Sequence, residues 1–329
     1  MDDLLNGLKA AAEPTRLRIL VLCAHGELSV SDLTQILGQS QPRVSRHLKL
    51  LCDAGLLQRY REGTFAYFRL AEAGAGAELA ETLADLVPDE DPQVAIDLTR
   101  LEAIKEGRAE RAAAYFRDNA ARWDEIRRLH IDDQKVEATI LEMLPKGPID
   151  TLVDLGTGTG RMMVITADRA ARATGIDWSR EMLTVARSNL DRHDLRQCQV
   201  RQGDITALAL PSGGVSVAIM HQVLHYLEEP GAAIAEAARI LKAGGTLLVA
   251  DFARHNLDTL REEHAHRWLG FEPSTVQGWL KDAGFGEIRR KDLPGDMLTV
   301  VIYVARKEAS ASVTPITSRG ATVQAKGAA

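Results

Sequence analysis

Val153-Asp154-Leu155-Gly156-Thr157-Gly158-Thr159-Gly160 is the stretch on which the reading of this chain turns. An apolar run closes on an acid, and three alternate glycines follow. That order describes a strand turning sharply into a helix. Glycine lets the backbone turn tightly and lets a ligand approach without meeting a Cβ atom. The helix beyond is expected to point unpaired N–H groups at whatever binds. Two more acids close the next apolar runs, Asp177 after Thr174-Gly175-Ile176 and Asp204 in Arg201-Gln202-Gly203-Asp204-Ile205. An acid about 20 residues past a glycine loop suits the two hydroxyls of a ribose. A third carboxylate at a strand end can accept from an adenine amino group. No Gly-Lys-Ser/Thr follows the loop, so an NTP-binding P-loop is not expected.

Asp154, Gly156, Gly158, Gly160, Asp177 and Asp204 together resemble the class I S-adenosylmethionine (SAM) methyltransferases, over roughly residues 115–305. A nicotinamide-binding loop would read G-x-G-x-x-G, whereas the spacing here is G-x-G-x-G. The resemblance implies a Rossmann-like α/β sheet with SAM, or S-adenosylhomocysteine (SAH), as its ligand. It places cofactor contacts at Asp154, Gly156, Gly158, Gly160, Asp177, Trp178, Asp204, Ile205 and His221.

From Ile149 onward strands and helices alternate, as in a mostly parallel sheet with crossover helices. Val215–Met220 is the fourth strand, Thr246–Asp251 the fifth, and Met297–Ala305 a long antiparallel strand at the sheet's edge. A helix over 231–241 is expected to stop at Ala243-Gly244-Gly245. Methyl transfer from a sulfonium needs an acceptor lone pair held in line, and positioning supplies much of the rate. A base is required only where the acceptor sheds a proton early. The weak candidates are His221 and His225, then His264 and His266, which stand either in an acceptor pocket or on a solvated helix. No Asp/Asn-Pro-Pro-Tyr/Phe ends the fourth strand, which argues against amino methylation of DNA bases or glutamine. Cys198 is this region's one cysteine, which argues against arsenite as acceptor.

The N-terminal part has a different rhythm. Two helices break near Glu13-Pro14, Ser29-Val30-Ser31-Asp32 opens a third that stops at Gly38, and Ser40-Gln41-Pro42 opens a fourth. Val44, Leu48 and Leu51 form the buried stripe of the fourth helix. Leu56 to Leu70 then alternate around Glu62-Gly63-Thr64, as a hairpin does. This is the order of a winged helix-turn-helix. Glu13-Pro14-Thr15-Arg16-Leu17-Arg18-Ile19-Leu20, Ser45-Arg46-His47-Leu48-Lys49-Leu50-Leu51 and Ala54-Gly55-Leu56 resemble the ArsR family of bacterial repressors. The resemblance puts the fourth helix in the major groove of an operator. It marks Gln41, Arg43, Ser45, Arg46 and Lys49 for DNA contacts, with Arg59 and Arg61 on the wing. It also implies a homodimer, with 72–87 as the dimer helix. Many relatives sense metals through cysteines at the start of the third helix. Ser29-Val30-Ser31 stands there instead, and hydroxyls are poor ligands for soft metals. No metal site is expected.

The 329 residues suit two domains, a mostly α winged helix-turn-helix followed by an α/β Rossmann-like sheet. The division read is 1–87 for DNA binding and dimerisation, 88–114 for linker and helix, 115–307 for the cofactor domain and 308–329 for a disordered tail. From Gln93 to about Leu129 a long charged helix is expected, with a break near Gly107 and most charges solvated. Net charge is −6, but residues 40–70 carry a local basic patch suited to phosphates. An acidic start, Met1-Asp2-Asp3, and no long apolar run point to a cytoplasmic protein outside the membrane. Two functions fit. One is a transcription regulator whose second domain senses SAM or SAH; the other is a small-molecule methyltransferase that also binds DNA.

Overall fold

The computed structural model describes residues 1–62, 65–71, 74–88, 90–118, 133–260 and 266–308. The expected tail from 309, the helix beyond 118, the hairpin turn at Gly63-Thr64 and His264 lie outside these.

In the N-terminal part, helix α1 (Asp2–Ala11) gives way to α2 (Pro14–Ala24) at the predicted proline. Glu13 caps α2, its carboxylate accepting from the Arg16 N–H at 3.0 Å. A short strand β1 (Leu28–Ser29) precedes α3 (Val30–Leu37). Its capping box is complete: Ser29 Oγ accepts from Asp32 N at 3.1 Å, and Asp32 Oδ2 accepts from Ser29 N at 2.8 Å. Gly38, at φ 63°, ends α3 in a left-handed conformation that glycine adopts without strain. Helix α4 (Gln41–Asp53) buries Val44, Leu48 and Leu51, as the stripe predicts. Strands β2 (Leu57–Glu62) and β3 (Phe65–Leu70) form the antiparallel wing, and α5 (Ala75–Asp85) follows.

Helix α6 (Pro92–Asp118) runs unbroken through Gly107, where a break was expected. One glycine costs a helix only about 1 kcal/mol, and packing on both sides outweighs that. Leu101 and Ile104 are buried in the N-terminal core. Several charges on α6 are bound to distant groups rather than simply solvated. Asp97 is buried and takes both Arg18 nitrogens, Nη2 at 2.8 Å. Arg100 donates to the Ile36 carbonyl at 2.7 Å, and Arg108 is 6% exposed. The i,i+4 spacing could not reveal this, because each partner lies far away in sequence.

The second part holds one seven-stranded sheet in the order β6-β5-β4-β7-β8-β10-β9. Helix α7 (Asp133–Met143) leads into β4 (Ile149–Leu155), α8 (Arg161–Thr166), β5 (Ala170–Asp177) and α9 (Arg180–Arg192). Then come β6 (Cys198–Gln202), β7 (Val215–His221), α10 (Pro230–Ile240), β8 (Leu241–Phe252), α11 (Pro273–Asp282), β9 (Phe285–Pro294) and β10 (Thr299–Lys307). β4 to β8 pair in parallel, so the carboxyl ends of β4, β5, β6 and β7 share one edge.

Two expectations need correcting. The apolar strand β10 is not the edge: it is enclosed by β8 and by β9, both antiparallel to it. β9 is rich in charged residues, Glu287, Arg289, Arg290, Lys291 and Asp292, which suits an edge. Nor does the glycine pair after α10 end an element. β8 starts at Leu241 and continues through Gly244, at φ 72°, and its register against β7 slips there. Four residues of β8, Lys242 to Gly245, stand against Ser216 alone, so the glycines lie in an irregularity of the strand rather than at its end. β10 shows why the sheet is buried on both faces: Val300, Ile302 and Val304 face one core cluster, Val301 and Tyr303 the other.

Candidate cofactor site and DNA-facing surface

The glycine loop is pinned from below by β5. The N–H groups of Gly156 and Thr157 both donate to the Ile176 carbonyl, at 2.8 and 2.9 Å. The Gly158 N–H donates to Asp177 Oδ2 at 2.8 Å, and Ser179 N donates to Asp177 Oδ1 at 2.8 Å. Asp177 therefore holds the loop and the start of α9 together. Burial raises its pKa above the ordinary carboxylate value, while the N–H bonds from Ser179, Gly158 and Trp178 pull the other way.

The three glycines have three separate jobs. All have positive φ, 75°, 51° and 79°. A Cβ on Gly156 would lie 2.3 Å from Val223 Cγ2, so the loop after β7 packs directly on it. A Cβ on Gly160 would sit 3.3 Å from Ala186 on α9. A Cβ on Gly158 would meet nothing within 4 Å, so open space lies there. Helix α8 has six residues, so the loop backbone rather than a long helix defines the cradle.

Asp154 is 1% exposed. Its Oδ2 accepts from Thr157 Oγ1 at 2.6 Å, while Oδ1 is buried with no hydrogen-bond partner among the described residues. Burial, with the neighbouring Asp177 charge adding to it, pushes its pKa up to about 7. A buried orphan acceptor is costly unless a donor arrives. The open cradle at Gly158 and the unpaired Asp154 oxygen together fit a ligand that brings both bulk and donors, as SAM or SAH would.

Of the remaining candidates, Gly203 N donates to the Asp177 carbonyl at 3.0 Å, which brings Asp204 beside Asp177. Asp204 is exposed and closes its own turn, Oδ1 accepting from Thr206 N at 2.8 Å; the Thr206 bonds lower its pKa. Ile205 is buried and Trp178 is 74% exposed at the rim. His221 ends β7 half-buried, and burial pulls its pKa down to about 4, so the ring is neutral near pH 7. His225 goes elsewhere. It is 1% exposed, its Nδ1 lies 2.7 Å from Asp251 Oδ1, and its ring lies against those of His266 and Tyr226 at 4.1 Å. Its carbonyl accepts from the N–H groups of Arg267 and Trp268. That geometry fits a packing role, and His266 is buried rather than on a solvated helix.

Asp251, Thr157 and Val223 were missed as site-forming residues. An acid ending an apolar strand was the available signal for Asp251, as at Asp154 and Asp177. Nothing local marks Val223.

On α4, Gln41, Arg43, Ser45, Arg46 and Lys49 are all exposed on the face opposite the buried stripe. Arg59 and Arg61 alternate on β2 and are exposed too. Among the described residues no three His, Cys, Asp or Glu gather as a metal site. Burial raises the pKa of each of the three cysteine thiols.

Residues 13–59 match the bacterial regulatory protein arsR family, and residues 153–249 a methyltransferase domain. An arsenical resistance operon repressor of Bacillus subtilis is 40% identical over 76 residues, 23% of this chain and 72% of that protein. The chain belongs to the ArsR family. Its C-terminal part is a class I methyltransferase domain fused to that regulator. There, a trans-aconitate 2-methyltransferase of Azoarcus sp. is 32% identical over 132 residues, 39% of this chain and 49% of that one. A solved geranyl diphosphate C-methyltransferase from Streptomyces coelicolor superposes with a TM-score of 0.46 at 16% identity, covering 53% of this chain and 77% of its own. The chain spans 34%, 55% and 49% of three other curated relatives that it matches. Among the described residues no helix is long and apolar enough to cross a membrane.

Proposed function

We propose that this ArsR-family protein is a cytoplasmic, homodimeric transcription regulator that binds a double-stranded DNA operator and uses its methyltransferase domain as a sensor of SAM or SAH. The division proposed is 1–87 for DNA binding, 88–114 for linker and helix, and 115–307 for the ligand. The carrying observation is the orphaned Asp154 oxygen beside the open cradle at Gly158, joined in one chain to an exposed basic recognition helix. When bound, SAM supplies an electrophilic methyl group; SAH does not. Asp177 would take the ribose hydroxyls, Asp154 a donor of the ligand, and Trp178, Asp204 and Ile205 would flank the base. Leu4, Leu5 and Leu8 on α1 are 41–46% exposed, which supports a dimer face formed with α5.

Serines in place of sensing cysteines support a ligand other than a metal. The second reading, an active small-molecule methyltransferase, is supported by His221 at the end of β7, where burial keeps it neutral. Fluorescence-anisotropy titration of an operator duplex, with SAM, SAH or neither, separates the two. The sensor reading expects a shift of about 5–150-fold, the usual range of allosteric coupling. No shift, with SAM turnover in the presence of a cell extract, favours the enzyme.

A further inference from the structure

The two parts of the chain meet at a buried ionic seam, and Glu27 is its centre. Glu27 sits between α2 and β1 and is 9% exposed. Three arginines surround its carboxylate. Arg69 comes from the wing strand β3, with Nη1 at 3.8 Å. Arg187 comes from α9, with Nε at 3.5 Å, and Arg201 from β6 donates to Oε1. Burial alone would raise the Glu27 pKa; Arg201, Arg187 and Arg69 outweigh it and hold the group ionised.

The wing's outer face is docked by the same residues. The Arg201 guanidinium lies 3.2 Å from the centre of the Tyr60 ring, and that of Arg187 lies 4.0 Å from Tyr67. Tyr60 and Tyr67 are cross-strand partners, so they share one face of the hairpin. Arg59 and Arg61 occupy the opposite face. A second tie runs beside the first. Arg108 on α6 reaches Asp32, the acid of the α3 capping box, at 3.0 Å and Asp191 on α9 at 3.4 Å. A small solvent-open cleft lined by Glu27, Arg108, Arg187 and Asp191 adjoins these groups.

What makes the seam more than a joint is where its elements lead. Helix α9 begins at Ser179, whose N–H is bound by Asp177, and carries Arg187 and Asp191 further along. Strand β6 carries Arg201, three residues before Asp204. Both elements that frame the proposed adenosine site thus also grip the wing. Three cations share one buried anion, so removing that anion leaves like charges facing each other.

We propose that Glu27, held by Arg69, Arg187 and Arg201, is the latch through which occupancy of the SAM/SAH site reaches the DNA-binding wing. This rests on the sensor reading above. A ligand biases DNA binding only through a difference in its affinity for the DNA-bound and free states, and an element touching both sites is a physical carrier of that difference. α9 and β6 meet that condition, and the latch connects them to β3.

The test uses full-length wild type, Glu27→Gln and Arg201→Gln, each checked for folding by circular dichroism. SAH affinity is measured by calorimetry, operator affinity by anisotropy with and without SAH, and β2–β3 amide protection by hydrogen exchange. In both variants SAH should bind within about threefold of wild type, while its effect on operator affinity collapses from about 5–150-fold to below about twofold. The SAH-dependent change in β2–β3 exchange should vanish with it. Should Glu27→Gln fail to fold, Arg201→Gln decides, because Arg201 lies outside the N-terminal core. A folded variant that keeps the full wild-type shift overturns the latch and leaves the sensor standing. A wild-type protein indifferent to SAM and SAH overturns both.

Discussion

The proposed DNA-facing helix and the proposed cofactor loop solve opposite problems. On α4 every candidate contact is an exposed side chain, and the buried stripe beneath serves only to hold the helix in place. In the proposed cofactor loop the candidate groups are buried: backbone N–H groups pinned on Ile176 and Asp177, and the Asp154 carboxylate, one oxygen of which has no partner among the described residues. A surface that reads a polyanion can be built on the outside of a stable fold. A site that encloses a small ligand must leave some buried polar capacity unspent, which costs stability until the ligand arrives. Substitutions in the first region should therefore change affinity alone, and substitutions in the second should change affinity and stability together.

The sharpest break of that contrast is within the loop itself. Gly158→Val should abolish SAH binding in calorimetry, by about 100-fold or more, because the side chain fills the cradle. Gly156→Ala should instead cost the fold on the order of 2–4 kcal/mol in denaturant unfolding, since its Cβ meets Val223 and φ is positive. If both lose only ligand, the glycines are not divided as described.

Next comes Asp177→Ala. Charge-assisted bonds are worth roughly 1.5–3 kcal/mol each, so SAH should bind at least about tenfold more weakly, with some loss of thermal stability as Gly158 and Ser179 lose their acceptor. Unchanged affinity removes Asp177 from the site. Arg46→Ala and Lys49→Ala should lower operator affinity, and each lost phosphate contact should reduce the salt slope by about one. Melting temperature and SAH affinity should stay as in wild type, or α4 is not a purely external surface.

The pH dependence of stability tests the cost of burial. Burial raises the Asp154 pKa in the folded protein to about 7, from an ordinary value of 3.8. Folding then favours the protonated form, so this contribution is present below pH 3.8 and is lost as pH rises through about 7. Asp154→Asn should gain on the order of 1–2 kcal/mol relative to wild type at pH 8 in the absence of ligand, and nothing at pH 4, while weakening SAH. An equal difference at both pH values would show that the carboxylate is not buried in this way. The smallest effect expected is none at all: zinc, cadmium or arsenite should not release the operator. Release at micromolar metal, reversed by a chelator, would reveal a metal site.

Both folds were legible because their signals are local and periodic. The Ser29/Asp32 capping box, Gly38, the Val44-Leu48-Leu51 stripe and the acid-then-glycine loop each require only residues a few places apart. Such short-range patterns specify helices, turns and strand ends, and through them the winged helix and the nucleotide-type sheet. What the chain order alone did not decide is which distant groups meet. The sequence marks Gly156, Gly158 and Gly160 as one motif; only the packing of Val223 and Ala186 separates their roles. His225 and His221 look alike in the linear text, yet Asp251 draws one into the core and leaves the other at the strand end. Glu27 lies 174 residues from its partner Arg201, and no spacing rule links them. Coulombic and packing energies depend on distance in space and on burial, and both are set by the tertiary fold.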